Sequence, residues 1–581
     1  MLVSTKIRQS YPSWATQDLL ERRNRHQFQK ALEEIDWMIQ CLYTRFSVEK
    51  NENLLLRQLQ IYYDARQKIH SLKTRCRAAR NLYPNRTDIL HFQGEVSAYE
   101  RRLRDQATPL LQALLHYPST NPTIHWWKEQ LAHDPQNLFL CADAHVDSFA
   151  HQIDERLLLP LESMHAQIMS MMRVATHSRD GVDSQFSFAR CINVLKSSED
   201  LVLRQSTFEN FFAWLATNAA PLCSLLNAIT GYRQTVLDTL GMPLLDYIAR
   251  TENIEKRTLL CLRDSLLRYA QQTQRLVCNH AKAFGCTQLP LAYLNAPALH
   301  SKHRFSFNVQ DCLYYMRTST ALLDPHFSVM LDKALAHHWI DMRPSSGKAG
   351  TAWCDWLPSE KEFRIFSSFH PSLPFLWQFM HLLGVARLFA QTSEKSEPIL
   401  NLSLARIEII GQLYTTMLEQ HMITNASKDP RIQKIVRWQK ENRQINMLLN
   451  LPVRHFFTER IMRKRSHLAL SISDMNHIAR QTWDDFFGTS TQTCDTYFWA
   501  YKTHFYKSQT ICYDWQYSLG YILSFPLYQA IQNHRFTNWN QALMDFSSYS
   551  IEEWFERYLH LDLQNEKTWD QIFTLIDASH Q

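Results

Sequence analysis

Eleven glycines and twenty prolines are all that this chain of 581 residues carries. Together they make up about 5% of the sequence, less than half of average usage. Glycine supplies the positive φ values of tight hairpin turns and proline fixes turn entry, so a chain this poor in both does not suit a many-hairpin β fold. Collagen-like, Gly/Ser-linker and disordered readings fail on the same count. Hydrophobic residues make up 45% and charged residues 20%, an ordinary globular balance. The expectation is a mostly α-helical protein with length enough for more than one core.

Helical periodicity begins early. Phe28, Leu32, Ile35, Ile39, Leu42 and Phe46 recur three or four residues apart and make one apolar stripe. Leu55, Leu59, Tyr62, Ala65, Ile69 and Leu72 repeat the pattern, and Ser119-Thr-Asn-Pro122 breaks it further on. These helices read as an N-terminal bundle over residues 1–165. The polar stretch Thr176–Ser184 (THSRDGVDS) is the candidate boundary before a second region at 185–581, which contains long helical patterns such as Asn253–Cys278. A break at Arg343–Gly350 (RPSSGKAG) introduces the one segment that reads as a strand, Phe363–Phe369, whose rough alternation fits half burial.

Residues 1–110 hold 19 Lys and Arg against 12 Asp and Glu, while the remainder is neutral. The densest basic run, Lys68–Arg86, reads as a solvated helix face because no nucleic-acid motif accompanies it. No uninterrupted apolar run of about 18 residues occurs, so no membrane span is expected. The N-terminal residues lack the apolar core of a signal peptide, and the twelve cysteines show no CxxC pair. The expected compartment is the cytoplasm, with neither nucleic acid nor membrane as partner.

Most catalytic signatures are missing: there is no GxGxxG, GxxxxGK[ST], GxSxG or intact HExxH. An ordered series of elements remains. Gly347-Lys348-Ala349-Gly350-Thr351-Ala352-Trp353 precedes the strand, which ends at Ser368-Phe369. His381, in His381-Leu-Leu-Gly-Val385, follows twelve residues later, and Glu408 lies on the next helix in Ser403-Leu-Ala-Arg-Ile-Glu408. Tyr293-Leu-Asn-Ala-Pro297 and His338-Trp-Ile-Asp341 stand upstream. Downstream come Phe486-Phe-Gly488, Trp499, His504-Phe-Tyr506 and Cys512-Tyr-Asp-Trp-Gln-Tyr-Ser-Leu-Gly520. In order and spacing this series resembles the zinc oligopeptidases of the thimet oligopeptidase and oligoendopeptidase F family, with the oligoendopeptidase F branch the closer match. The resemblance covers about residues 185–575. It implies a mostly α, zincin-like fold: a two-part helical ellipsoid around a deep substrate channel, with a small β-sheet beside the zinc site.

Family chemistry requires two His at i and i+4 and a Glu from the next helix to hold zinc, and a Glu after the first His as general base. By the resemblance, His381 and Glu408 take two ligand positions and Gly384 the family glycine. Leu382 stands at the general-base position and Val385 at the lost ligand position. An alternative register makes His381 the second ligand and places Trp377 and Gln378 at the first ligand and base, which destroys the site equally. A buried Glu408 without a cation requires a partner, and His381 is the nearest candidate. No catalytic residues and no cofactor are therefore expected.

The resemblance further implies substrate contacts from His504, Tyr506, Tyr513, Trp515 and Tyr517, with Trp515 standing where a Tyr is usual. Trp donates only through its indole N–H. The expected function is an inactive oligoendopeptidase F homologue that binds an oligopeptide or an extended polypeptide segment, with the Phe363–Phe369 strand offering backbone hydrogen bonds. One alternative is an active zinc oligoendopeptidase with a substituted ligand, for which His370 and His504 are the candidates. The other is a helical interaction scaffold using the basic N-terminal helices.

Overall fold

The computed structural model describes residues 11–14, 25–42, 51–83, 86–133, 157–298, 307–344, 348, 352–394, 402–425, 430–466, 468–507 and 511–579. The chain forms two compact units, each assembled from three segments: Met1–Asp147, Phe305–Met422 and Leu527–Trp554 in the first; Ser148–Arg304, Ile423–Pro526 and Phe555–Gln581 in the second.

The first unit opens with the expected helices. Arg25–Gln40 buries Phe28, Leu32, Ile35 and Ile39; Glu52–Leu82 buries Leu55, Leu59, Tyr62, Ala65, Ile69 and Leu72. Phe46 lies outside the described residues. Both stripes join one apolar core with the Thr87–His116 and Pro122–Ala132 helices. Asn51 caps the second helix by accepting from the Leu54 N–H at 3.2 Å. The basic run Lys68–Arg86 is largely neutralised: Lys68 pairs with Glu34, Lys73 with Glu100, Arg75 with Glu360, Arg77 with Asp355 and Arg86 with Asp88.

A three-stranded sheet in the same unit differs from the sequence reading. The strand is Glu362–Phe366 and it is central, parallel to Ile340–Asp341 on one side and antiparallel to Trp353–Leu357 on the other. Phe363–Phe366 are therefore all buried, where alternation suggested half burial. Arg364 is buried with them, its guanidinium held by the Phe363 carbonyl and Glu362. Beyond the central strand, the N–H groups of Ser367 and Phe369 donate to the carbonyls of Asp341 and Met342. The backbone of Phe363–Phe369 is thus engaged within the protein, and the expected pairing of this strand with a peptide does not survive. The sheet's outer edges are covered as well. Met342 N–H donates to the Pro12 carbonyl, and the Trp14 indole donates to the Trp339 carbonyl. On the far side Thr74, in the helix Glu52–Leu82, donates to the Trp356 carbonyl.

The sheet leads to the helix Leu373–Thr392, started by Ser372, whose hydroxyl accepts from the Phe375 N–H, and by Pro374 in the first turn. This helix is mostly apolar, with polar side chains only at Gln378, His381, Arg387, Gln391 and Thr392, and most of it is buried. It is long and apolar enough to cross a membrane, but 78% of its apolar window is buried inside the protein, the environment of a core helix. The Leu404–Asn425 helix packs on it through two close approaches: a Cβ at Gly384 would meet the Ile410 carbonyl at 3.1 Å and Tyr414 at 2.9 Å.

The second unit is also helical, with long helices at Ala219–Thr239, Lys256–Ala283, Leu451–Arg465 and Ile472–Phe487, and with the first part of Trp515–Gln532, up to Pro526. Thr176–Ser184, expected as a boundary, lies within this unit as part of a β-hairpin, Val174–His177 against Asp183–Phe186. Gly181 takes φ +74° at its turn. The stretch is polar because alternate residues of the first strand face out.

Candidate functional site

The Leu373–Thr392 helix carries His381 and the Leu404–Asn425 helix carries Glu408, and the two side chains meet: His381 Nε2 stands 3.5 Å from Glu408 Oε2. Glu408 is almost wholly enclosed and the His381 ring about one-fifth exposed. The ring occupies the space over Gly411, where a Cβ would come within 2.5 Å of Cε1. Gly411 was not singled out by its sequence, since a lone glycine within a helical pattern gives no sign of what crosses it.

The two positions expected to match the general base and the second ligand are apolar. Leu382 and Val385 are both buried, and Val385 lies one turn along from His381 on the same face. Neither side chain has a lone pair. Zinc sites of this kind take three protein donors and leave one position for water. Among the described residues no third His, Cys, Asp or Glu gathers with His381 and Glu408. The donor set does not fit catalytic zinc. His370, offered as a replacement donor, is described and joins no such group.

A second buried cluster holds the same helix pair. The Arg387 guanidinium, six residues past His381, pairs with Asp324 at 2.8 Å and with Gln391 at 2.9 Å, and also donates to Asn540. Tyr414, from the facing helix, donates its hydroxyl to the same Asp324 carboxylate. Burial and the Asp324 charge hold the Tyr414 phenol well above its ordinary range. The residues read as family elements upstream make a related clamp. Asp341, fully buried, receives Arg343 and Lys348, and Lys348 also donates to the Ser367 carbonyl at 2.6 Å. Gly347, Ala349, Gly350 and Thr351 of that turn lie outside the described residues.

The aromatic tract belongs to the second unit. The Tyr513 and Tyr517 hydroxyls are 2.6 Å apart, one turn of chain separating them, and both residues are half-buried. His504 stacks on Tyr513 with ring centroids 4.8 Å apart, and Lys507 lies 5.0 Å from the centre of the Tyr513 ring. Burial, aided by the charges of Arg454, Lys507 and Lys502, pulls the His504 pKa down to about 4 against the opposing pull of Asp514. His504 is therefore neutral near pH 7, able to donate and accept. Tyr506 and Trp515 are fully buried. Tyr506 donates its hydroxyl to the Leu222 carbonyl and stacks on His165 at 3.7 Å.

No protein-family profile matches the chain, and no curated protein does. Solved structures do. A Bacillus anthracis str. Ames protein assigned as an oligoendopeptidase F superposes with TM-score 0.72 at 15% identity over 98% of each chain. Oligoendopeptidase-F from Enterococcus faecium gives 0.67 at 12%, over 96% of this chain and 99% of that one. This chain has the oligoendopeptidase F fold. A Chlamydophila abortus protein assigned as a peptidase shares it, with TM-score 0.73 at 14% identity over 98% of this chain and 97% of the other. At these identities the oligoendopeptidase F fold is what is shared, and it is mostly α with small sheets.

Proposed function

We propose that this protein is a peptidase-fold binder of extended peptides in which zinc-dependent hydrolysis has been lost. One observation carries the reading: Leu382 and Val385 are buried aliphatics on the helix whose His381 contacts Glu408. Loss of a positioned acid/base costs about 10²–10⁴ in rate. Loss of a partner behind a ligand already costs about 10–100-fold in metal affinity, and loss of the ligand itself costs more. The His381–Glu408 contact then serves as a structural remnant, satisfying a carboxylate that would be costly to bury alone.

Peptide contacts fall to His504, Tyr513 and Tyr517, which are part-exposed and carry donors and acceptors suited to a peptide backbone. Tyr506 and Trp515 are buried and take no part in this contact surface. Eleven described cysteines are free thiols, which supports a reducing compartment such as the cytoplasm.

The deciding experiment measures zinc per chain after incubation with excess zinc and desalting, alongside cleavage of a mixture of fluorogenic peptides. Zinc well below one per chain, with no cleavage that a chelator removes, supports the reading. Near-stoichiometric zinc, or chelator-sensitive cleavage lost in His381→Ala and Glu408→Ala, overturns it.

A further inference from the structure

In the second unit the helix Leu451–Arg465 places His455 and Glu459 one turn apart, beside the segment that leads into the helix Trp515–Gln532. His455 Nδ1 lies 3.3 Å from Cys512 Sγ. The other ring nitrogen, Nε2, lies 3.1 Å from Glu459 Oε1. Behind Glu459, Arg263 Nε stands 3.4 Å from Oε2, and Arg463 adds a further positive charge. Arg454, the neighbour of His455 in sequence, turns instead to Asp514 at 3.5 Å. His455 and Cys512 are 7% and 6% exposed.

One imidazole thus bridges a thiol and a carboxylate through its two different nitrogens, the arrangement by which a base is oriented toward a sulfur nucleophile. Glu459 accepts from Nε2–H and leaves Nδ1 facing sulfur. Burial alone would discharge His455, but the Cys512 and Glu459 charges outweigh it and raise its pKa to about 10. No metal chemistry is involved, and the Cys512 thiol plays no part in the reading of His381 and Glu408.

We propose that Cys512, His455 and Glu459 form a peroxide-reactive thiolate site whose substrates are small hydroperoxides. The enclosure of Cys512 favours a small electrophile. The Cys512 thiolate attacks the terminal oxygen of the hydroperoxide, the S–O bond forms and the O–O bond breaks. Sulfur is oxidised by two electrons to the sulfenic acid as the peroxide is reduced, and the departing alkoxide or hydroxide takes the Nδ1 proton of the His455 imidazolium. Glu459 is the positioning residue that holds the imidazolium. The product places a new oxygen one residue from Tyr513, so oxidation is felt in the aromatic tract.

The full chain is alkylated briefly with iodoacetamide at pH 6 and pH 8, digested, and each cysteine quantified. A thiolate held by an imidazolium is expected to keep its rate within about threefold between these pH values, where an ordinary thiol falls about a hundredfold. Treatment with one equivalent of hydrogen peroxide and then dimedone is expected to label Cys512 ahead of the other cysteines. His455→Asn should return the hundredfold pH dependence, and Glu459→Gln should move it part of the way. A hundredfold fall at Cys512 in the wild type, or no dimedone adduct there, overturns the proposal. If His455→Asn fails to fold, the wild-type pH profile decides alone.

Discussion

His381 sits where a side chain at residue 411 would begin: a Cβ on Gly411 would lie 2.5 Å from its Cε1 and 2.7 Å from Nδ1. Gly411→Ala must therefore expel the imidazole from beside Glu408 or spread the two helices. The expected cost is about 1–3 kcal/mol, the range for overpacking a filled interior. Denaturant unfolding measures it, and the His381 ring resonances should shift at the same time. Unchanged stability with unchanged resonances would mean that the ring is not seated on this glycine.

Val385→His restores an imidazole one turn from His381, on the same helix face. Zinc retained after desalting should rise at least tenfold over the wild type, toward one per chain. Adding Leu382→Glu to it should bring chelator-sensitive peptide cleavage above the background of the single variant. A double variant that binds zinc and cleaves nothing would show that more than the motif has been lost.

Asp324 is the shared partner of Arg387 and Tyr414 between the helix pair. Asp324→Ala strands a buried guanidinium, and removal of one partner from such a pair costs about 3–5 kcal/mol. Asp324→Asn keeps the acceptor for Tyr414 and should cost less. Equal losses in the two variants would place the effect in packing and not in charge.

His504 carries the clearest pH signature. Its folded-state pKa near 4 lies below the ordinary value of 6.5, so the unfolded chain takes up the proton first as the pH falls. Its contribution to stability is fully present above about pH 6.5 and is lost as the pH drops from there toward 4. Ring resonances of His504 should stay flat from pH 8 to 5.5. Titration near 6.5 would show that the ring is open to water.

Helix content and both apolar stripes of the N-terminal region were legible because burial at three- and four-residue spacing leaves a direct mark on sequence. The contact of His381 with Glu408 was legible from the order of the elements around it. The sheet was not. Its neighbours Ile340–Asp341 and Trp353–Leu357 are too short to show alternation, so the central strand looked like an isolated half-buried one. The hairpin at Val174–Phe186 was hidden for a related reason, since its polar outward residues outnumber its buried ones. Arg387 and Asp324 gave no sign, because charges that neutralise each other inside a protein read in sequence as surface residues.

Residues 12–14 and the helix Glu52–Leu82 cover the two edges of a sheet whose strands come some three hundred positions later in the chain. During synthesis from the N-terminus the covers are made before the edges. Unpaired strand edges are templates for aggregation. Here the strands emerge into the presence of segments already able to close them, so the interval in which an open sheet could recruit a second molecule is short by virtue of sequence order alone.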